Sequence, residues 1–328
     1  MIKSPISMTK ITKLLAMSLL AAMPAAAIYA QDKEEMLNCG NMDQWLVREI
    51  EESFVIGGNT KTLHEIAPYQ VIKGDRPYTF NVKSPWATSN VMAKVAGIVK
   101  CSTSVFPEKR GDGKCARMET LVEQVKVLGM VDITVLASGS IFLGGVDEPI
   151  KNTKNPLGKL MMGVPFTKCP KALRFDYKAK LTGAPDRQKI TGFGKERTVA
   201  GKDYPEVYLV LQKRWEDAEG NVYAKRIGTL SYRFPQSTDG WVNDFTLDIE
   251  YGDISSRGDL NEIERLTVDN PYYTKNSKGE VMPIREVGWG DAGDKPTHVV
   301  LRFSSSHGGA YIGSVGNTLW IDNVRFVY

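Results

Sequence analysis

Beyond Gly57-Gly58 apolar side chains recur at every second position, and that period of two confines most of the chain to half-buried β-strands. The clearest run is Lys171 to Lys180, where Leu173, Phe175, Tyr177 and Ala179 alternate with Arg174, Asp176, Lys178 and Lys180. Phe245, Leu247, Ile249 and Tyr251 alternate in the same way with Thr246, Asp248 and Glu250. Further strands are expected over Val125 to Leu136, Glu206 to Lys213, Arg226 to Phe234, His298 to Phe303 and Thr318 to Tyr328, separated by Gly, Pro, Asn and Asp. There is no internal repeat and no βαβ rhythm. The expectation is an all-β domain over residues 59–328, a β-sandwich jelly roll. Three connections, Gly144 to Pro165, Gly183 to Lys202 and Asp253 to Asp294, are longer than strand turns need, and loops of that length are often binding structure.

Residues 31–58 read differently. Asn41 can cap, Gln44 holds the reciprocal capping position, and Met42, Trp45, Leu46 and Ile50 fall at helical spacing, so a short N-terminal helix is expected as a lead-in. Residues 1–30 read as a signal peptide: Lys3, Lys10 and Lys13 precede an apolar stretch from Leu14 to Met23, then Pro24 and small residues to Ala30. That stretch is too short for an integral membrane span. The expected location is therefore periplasmic or extracellular. The first thirty residues hold three lysines and no acid, so the formal charge of +4 falls to +1 without them. Nucleic acid thereby loses its electrostatic basis as a partner, and nothing in the sequence points to an oligomer. In an exported chain the four cysteines, Cys39, Cys101, Cys115 and Cys169, suggest disulfides, and the turn-rich segment from Phe106 to Gly113 could fold Cys101 and Cys115 together.

Several phrases occur in a specific order: Trp86-Ala87-Thr88-Ser89-Asn90-Val91, Cys115-Ala116-Arg117-Met118-Glu119-Thr120, Ala137 to Gly144, Gly163-Val164-Pro165-Phe166-Thr167 and Phe175-Asp176-Tyr177-Lys178. They precede Ser304-Ser305-Ser306 and the closing Val315-Gly316-Asn317-Thr318-Leu319-Trp320-Ile321-Asp322. In these the chain resembles the bacterial putative carbohydrate metabolism domain family from about Asn41 to Tyr328. The resemblance implies a jelly roll similar to domains of carbohydrate-active enzymes, with a pocket where those bind sugar. Cys115 and Cys169 depart from the family pattern, which suits a disulfide particular to this branch. Some members carry an immunoglobulin-like domain ahead of the jelly roll; here only the helical segment is expected there.

An oligo- or polysaccharide site needs flat aromatic faces for the CH surface of a sugar ring and fixed polar groups for its hydroxyls. Trp86, Trp241 and Trp289 are candidates for the first role, Trp289 foremost because it stands between two glycines ahead of Asp291. For the second role, Arg117 and Glu119 share one strand face while Ala116 and Met118 face the core, and Asp176 and Lys178 share a face of their own strand. Ser305 and His307, in the Gly/Ser-rich loop, are added to the binding set, whereas His298 reads as structural. If the chain is instead a glycoside hydrolase, it needs two carboxyls about 5–5.5 Å or 6.5–9.5 Å apart. Asp248 and Glu250 would be about 7 Å apart along one strand face; Glu119 and Asp176 are the rival pair. Asp322 resembles positions that hold a structural calcium in other jelly rolls, and no other cofactor is signalled. A cell-surface structural protein without a sugar site is the third reading.

Overall fold

A computed structural model describes residues 32–328 apart from 96, 128–130, 153–154 and 193–194. The expected signal peptide lies outside the described residues. The protein is all-β, and two large sheets pack face to face. In the first sheet the strands run, in spatial order, Thr191–Gly192, Val131–Ser138, Gly113–Val127, Thr318–Val327, Ala172–Lys180 and Val242–Asp248. Val105–Arg110 joins it through Gly113–Val127, and Glu34–Met36 through Thr318–Val327. Alternation assigns its faces: Met118, Phe175, Tyr177, Leu319 and Ile321 point into the shared core, their neighbours in sequence away from it. From the second sheet Phe303 meets Phe175 edge to face at 5.0 Å, closing the sandwich.

The second sheet curls back on itself. From His298–Ser304 pairing passes to Glu206–Glu216, Val222–Arg233, Val281–Trp289, Tyr273–Lys275, Leu160–Met162 and Ser140–Val146, and the last pairs again with His298–Ser304. Strand Glu206–Glu216 is consequently buried on both faces. Val207, Leu209 and Leu211 enter the sandwich core, while Tyr208 and Val210 join Phe142, Ala224, Ile284 and Val300 in a second core that fills the ring. Along that inner face the polar residues Glu206 at one end, and Gln212 and Arg214 at the other, bracket the apolar middle.

Four expectations are corrected. The N-terminal helix is absent: Trp45–Glu51 is a strand between Thr60–Ile66 and Val71–Lys73. Leu46, Arg48 and Ile50 share its buried face, so a buried arginine disguised a period of two as a helical stripe. Arg48 is held by Glu148 (2.5 Å) and Glu65 (3.1 Å), which ties the connection carrying Glu148 to this small sheet. Next, Val125 to Leu136 is not one strand but parts of two antiparallel neighbours, with Val127 opposite Val131. Three residues separate those partners, so the alternation stays in phase through the reversal and hides it. Third, the run ending at Tyr251 divides at Ile249: Asp248 pairs in the first sheet and Glu250 in the second. Finally, all four cysteines are free thiols. The turn after Arg110 sets Cys115 opposite Glu108, while Cys101 lies in the separate hairpin of Val91–Val95 with Ile98–Ser102. Burial pushes both thiols up to about 12.

Candidate functional site

At the Glu206 end of the ring lies a cleft of about 1180 Å3. All three long connections reach it: Asn155 to Met162 from the first, Arg187 and Lys189 from the second, and Leu260 to Tyr272 from the third. Glu206, Tyr208 and Arg302 form its floor on adjacent strands, with Tyr208 directly opposite Arg302. The third connection is anchored from beneath by a fully buried ion pair, Arg226 Nη2 to Glu286 Oε2 at 2.5 Å. Arg226 also donates to the Ile263 carbonyl at 2.6 Å, and Glu286 accepts from the Thr267 N–H at 2.8 Å. Those two bonds hold the wall in place.

Glu206 is 4 % exposed yet lines an open cleft. Burial pushes its carboxyl up to about 7, against the opposing pull of Arg233, Arg302 and His307. Arg233 Nε contacts Glu206 Oε2 at 3.3 Å, and its Nη2 bonds Glu262, so one guanidinium joins a buried and an exposed carboxyl. Beside them Arg187 donates from Nη1 to His307 Nε2 at 3.2 Å. On the other side of the ring the Tyr204 N–H donates to Nδ1 at 3.1 Å, and Asp203 Oδ1 lies 3.2 Å from the same nitrogen. Asp203 is itself fixed by Ser306 Oγ (2.7 Å) and the Ser314 N–H (2.8 Å). The Tyr272 ring lies 6.1 Å from that of Tyr208, but its hydroxyl makes no hydrogen bond of ordinary geometry.

The structure brings Arg117, Glu119, Asp176 and Lys178 onto one outward face of the first sheet, with Trp320 and Asp322. There the charges hold one another. Arg110 Nη1 bonds Asp322 at 2.6 Å and Asp176 at 2.9 Å while its guanidinium covers Trp241 at 3.9 Å. Arg117 bonds Glu119 (2.6 Å) and Glu108 (3.1 Å) and lies over Phe106, and Lys178 lies 4.1 Å from the Trp320 ring centre. Burial raises the Asp176 carboxyl, but bonds from Asn323, the Asp244 N–H and Arg110 outweigh it and hold it below its ordinary value. For Asp322 burial wins, and the carboxyl is raised. Asp322, the expected calcium ligand, is bonded by Arg110, and among the described residues no three acidic, histidine or cysteine side chains group to hold a metal.

The carboxylate pairs do not form. Glu119 lies opposite Thr318 and Asp176 opposite Asp322, four residues further along the same strand. That is about 13 Å along the sheet and roughly 10 Å across it. Asp248 and Glu250 are both exposed and belong to different sheets. Trp86 is 1 % exposed in the sandwich core and donates from Nε1 to the Asn38 carbonyl at 2.9 Å, so no sugar can reach its face. Trp289 ends strand Val281–Trp289, half-buried, with Arg226 5.6 Å from its ring. Trp289 does not line the cleft, although Arg226 beside it holds the cleft wall at Ile263. Ser305 is buried, sharing a 2.8 Å hydrogen bond with Thr120 Oγ1, whereas His307 and Ser306 line the cleft.

Glu206, Tyr208, Tyr272, Arg187 and Arg302 escaped the sequence reading, which sought polar residues alternating with apolar ones. Three of them, Glu206, Tyr208 and Arg302, left a different signal. Val299-Val300-Leu301-Arg302-Phe303 and Glu206-Val207-Tyr208-Leu209-Val210-Leu211 are apolar at both phases, marking strands buried on both faces, so a charge within them must be paired or functional.

A family model described as "Putative carbohydrate metabolism domain" matches residues 59–327. Among solved structures, the chain is similar to a putative glycoside hydrolase from Bacteroides thetaiotaomicron, at 19% identity and a TM-score of 0.43, over 82% of this chain and 75% of that one. No curated protein matches.

Proposed function

Because the chain belongs to the putative carbohydrate metabolism domain family, we propose that it is an exported jelly-roll protein that binds an oligo- or polysaccharide in the cleft above Glu206. The observation that carries this reading is the convergence of all three long connections on one end of the ring, around a cleft of about 1180 Å3. That volume exceeds the range usual for a small-molecule site and suits a chain of sugars. Its lining supplies the polar groups of Glu206, Asn261, Arg302 and His307 over a floor that includes the buried rings of Tyr208 and Tyr272, and fixed polar groups are what a polyol needs when it leaves water. The outward face of the first sheet is the weaker candidate, since its rings are already covered by Arg110, Arg117 and Lys178. A purely structural protein would show the same self-neutralised charges without the cleft.

The test is a glycan panel probed with the wild type, Arg302→Ala and Trp289→Ala. Binding to at least one glycan, weakened about tenfold or more by Arg302→Ala and unaltered by Trp289→Ala, is the expected result. Loss on Trp289→Ala alone, or no binding anywhere, overturns it. Export is checked by sequencing the N-terminus of the mature protein, which is expected to begin close after Ala27 or Ala30.

One observation favours a second reading, glycoside hydrolysis. A carboxyl held near neutrality and buried at an open cleft is what a proton donor requires, and Glu262, on the same arginine, is the other carboxyl within reach. Sugar release by the wild type and not by Glu206→Gln would establish it; no release across the glycans that bind would leave a binding protein.

A further inference from the structure

Two buried guanidinium nitrogens at the cleft, Arg187 Nε and Arg302 Nε, have no hydrogen-bond partner, and the hydroxyl of Tyr272 has none of ordinary geometry, only a looser contact with the Tyr208 hydroxyl. Tyr272 is 8 % exposed, and two of these three groups can only donate. A donor buried without an acceptor costs free energy, and a site that keeps several of them together is shaped for a ligand that brings acceptors. The charges agree. Arg187, Lys189, Arg265 and Arg302 line the cleft, and among the described residues no carboxylate forms an ion pair with any of the four. Of the three acidic residues in the lining, Glu206 and Glu262 are both engaged by Arg233. Arg187 is also held in place, through His307, by the buried carboxylate of Asp203, so its free Nε is aimed rather than roaming.

Resting on the carbohydrate reading above, we propose that the cleft recognises an acidic sugar, its anionic group accepting hydrogen bonds from Arg187, Arg302 and Tyr272. A neutral polyol presents each donor with a hydroxyl that gains little over water. A carboxylate or sulfate presents charged oxygens to two guanidiniums in a partly dehydrated site, where charge-assisted bonds are about twice as strong as neutral ones. Lys189 and Arg265, nearer the surface, extend the positive field that draws such a ligand in.

The experiment titrates the intact protein with matched pairs: an oligogalacturonate against its methyl ester, and a sulfated oligosaccharide against its desulfated form. The acidic member of at least one pair should bind about tenfold or more tightly than the neutral one, with affinity falling as salt rises. The pair that shows the gap identifies the anion as carboxylate or sulfate. In Arg302→Gln that gap should shrink toward unity. Should Arg302→Gln fail to fold, Lys189→Gln, at an exposed position, should fold normally and flatten the salt dependence. Neutral members binding as well as acidic ones would overturn the acidic preference while leaving carbohydrate binding intact. No binding by any member would overturn the carbohydrate reading itself and the acidic preference with it.

Discussion

The outward face of the first sheet and the cleft in the second are both rich in charged and aromatic side chains, but only the cleft leaves buried arginine donors unspent, whereas the unpartnered donor of the outward face is the neutral indole N–H of Trp320. On the outward face each cation has its counterpart: Arg110 its two aspartates and Trp241, Arg117 its two glutamates and Phe106, Lys178 its Trp320. In the cleft, Arg187 and Arg302 keep a donor free, and a buried carboxyl is held near neutrality. Alternation produces polar faces on every half-buried sheet, so polarity alone does not mark a site. Unspent hydrogen-bonding capacity beneath converging insertions does.

The largest effect is expected from below the cleft. Arg226→Met leaves Glu286 buried and unpaired, which should cost about 3–5 kcal/mol in urea unfolding. It also releases the Ile263 carbonyl and unsettles the Thr267 contact, so glycan binding should weaken beyond the loss at Arg302 alone. If binding survives in the folded fraction, the third connection is not a cleft wall.

Next comes the pH dependence of Glu206. Its folded value, near 7, lies above the ordinary value of 4.5, so the folded state holds the proton more tightly than the unfolded chain. The stability this contributes is present in full below about 4.5 and is lost as pH rises through about 7. Glu206→Gln cannot ionise. Relative to wild type it should gain stability between pH 4 and pH 8, by up to about 3 kcal/mol. Parallel stability profiles for the two proteins would refute the buried, near-neutral carboxyl on which the contrast with the outward face depends.

Much of the sandwich was legible because its strands are apolar on one face only: Ala172–Lys180 and Thr318–Val327 lie within two residues of their expected ends. Three strands of the ring, Glu206–Glu216, Val222–Arg233 and His298–Ser304, were expected too, but not the closure of the ring, for a physical reason. Its strands Ser140–Val146, Glu206–Glu216 and His298–Ser304 are buried on both faces and carry little alternation, and its closure depends on pairing between Ser140–Val146 and His298–Ser304, far apart in sequence. The strand at Trp45–Glu51 was misread because Arg48 occupies a core position, which only its distant partner Glu148 makes tolerable. The same blindness covered the site. The long connections were visible as insertions, but the floor they cover, Glu206, Tyr208 and Arg302, consists of residues whose burial and pairing exist only once the ring is closed.

The outward face offers the smaller effects, and they sharpen the contrast because they should touch stability alone. Arg110→Ala leaves Asp176 and Asp322 facing each other, largely buried, and should cost about 1–3 kcal/mol. The loss should lessen as pH falls, since protonation relieves the repulsion once the guanidinium is gone. Lys178→Gln removes a cation lying 4.1 Å from the Trp320 ring centre and should cost only about 0.5–1 kcal/mol. Neither substitution should move glycan affinity by as much as a factor of two, because each acts on charges that already satisfy one another. Should Lys178→Gln weaken glycan binding while leaving the unfolding midpoint unchanged, the outward face would have to be a sugar surface whose cations turn aside for the ligand, and the cleft would lose its claim to be the sole site.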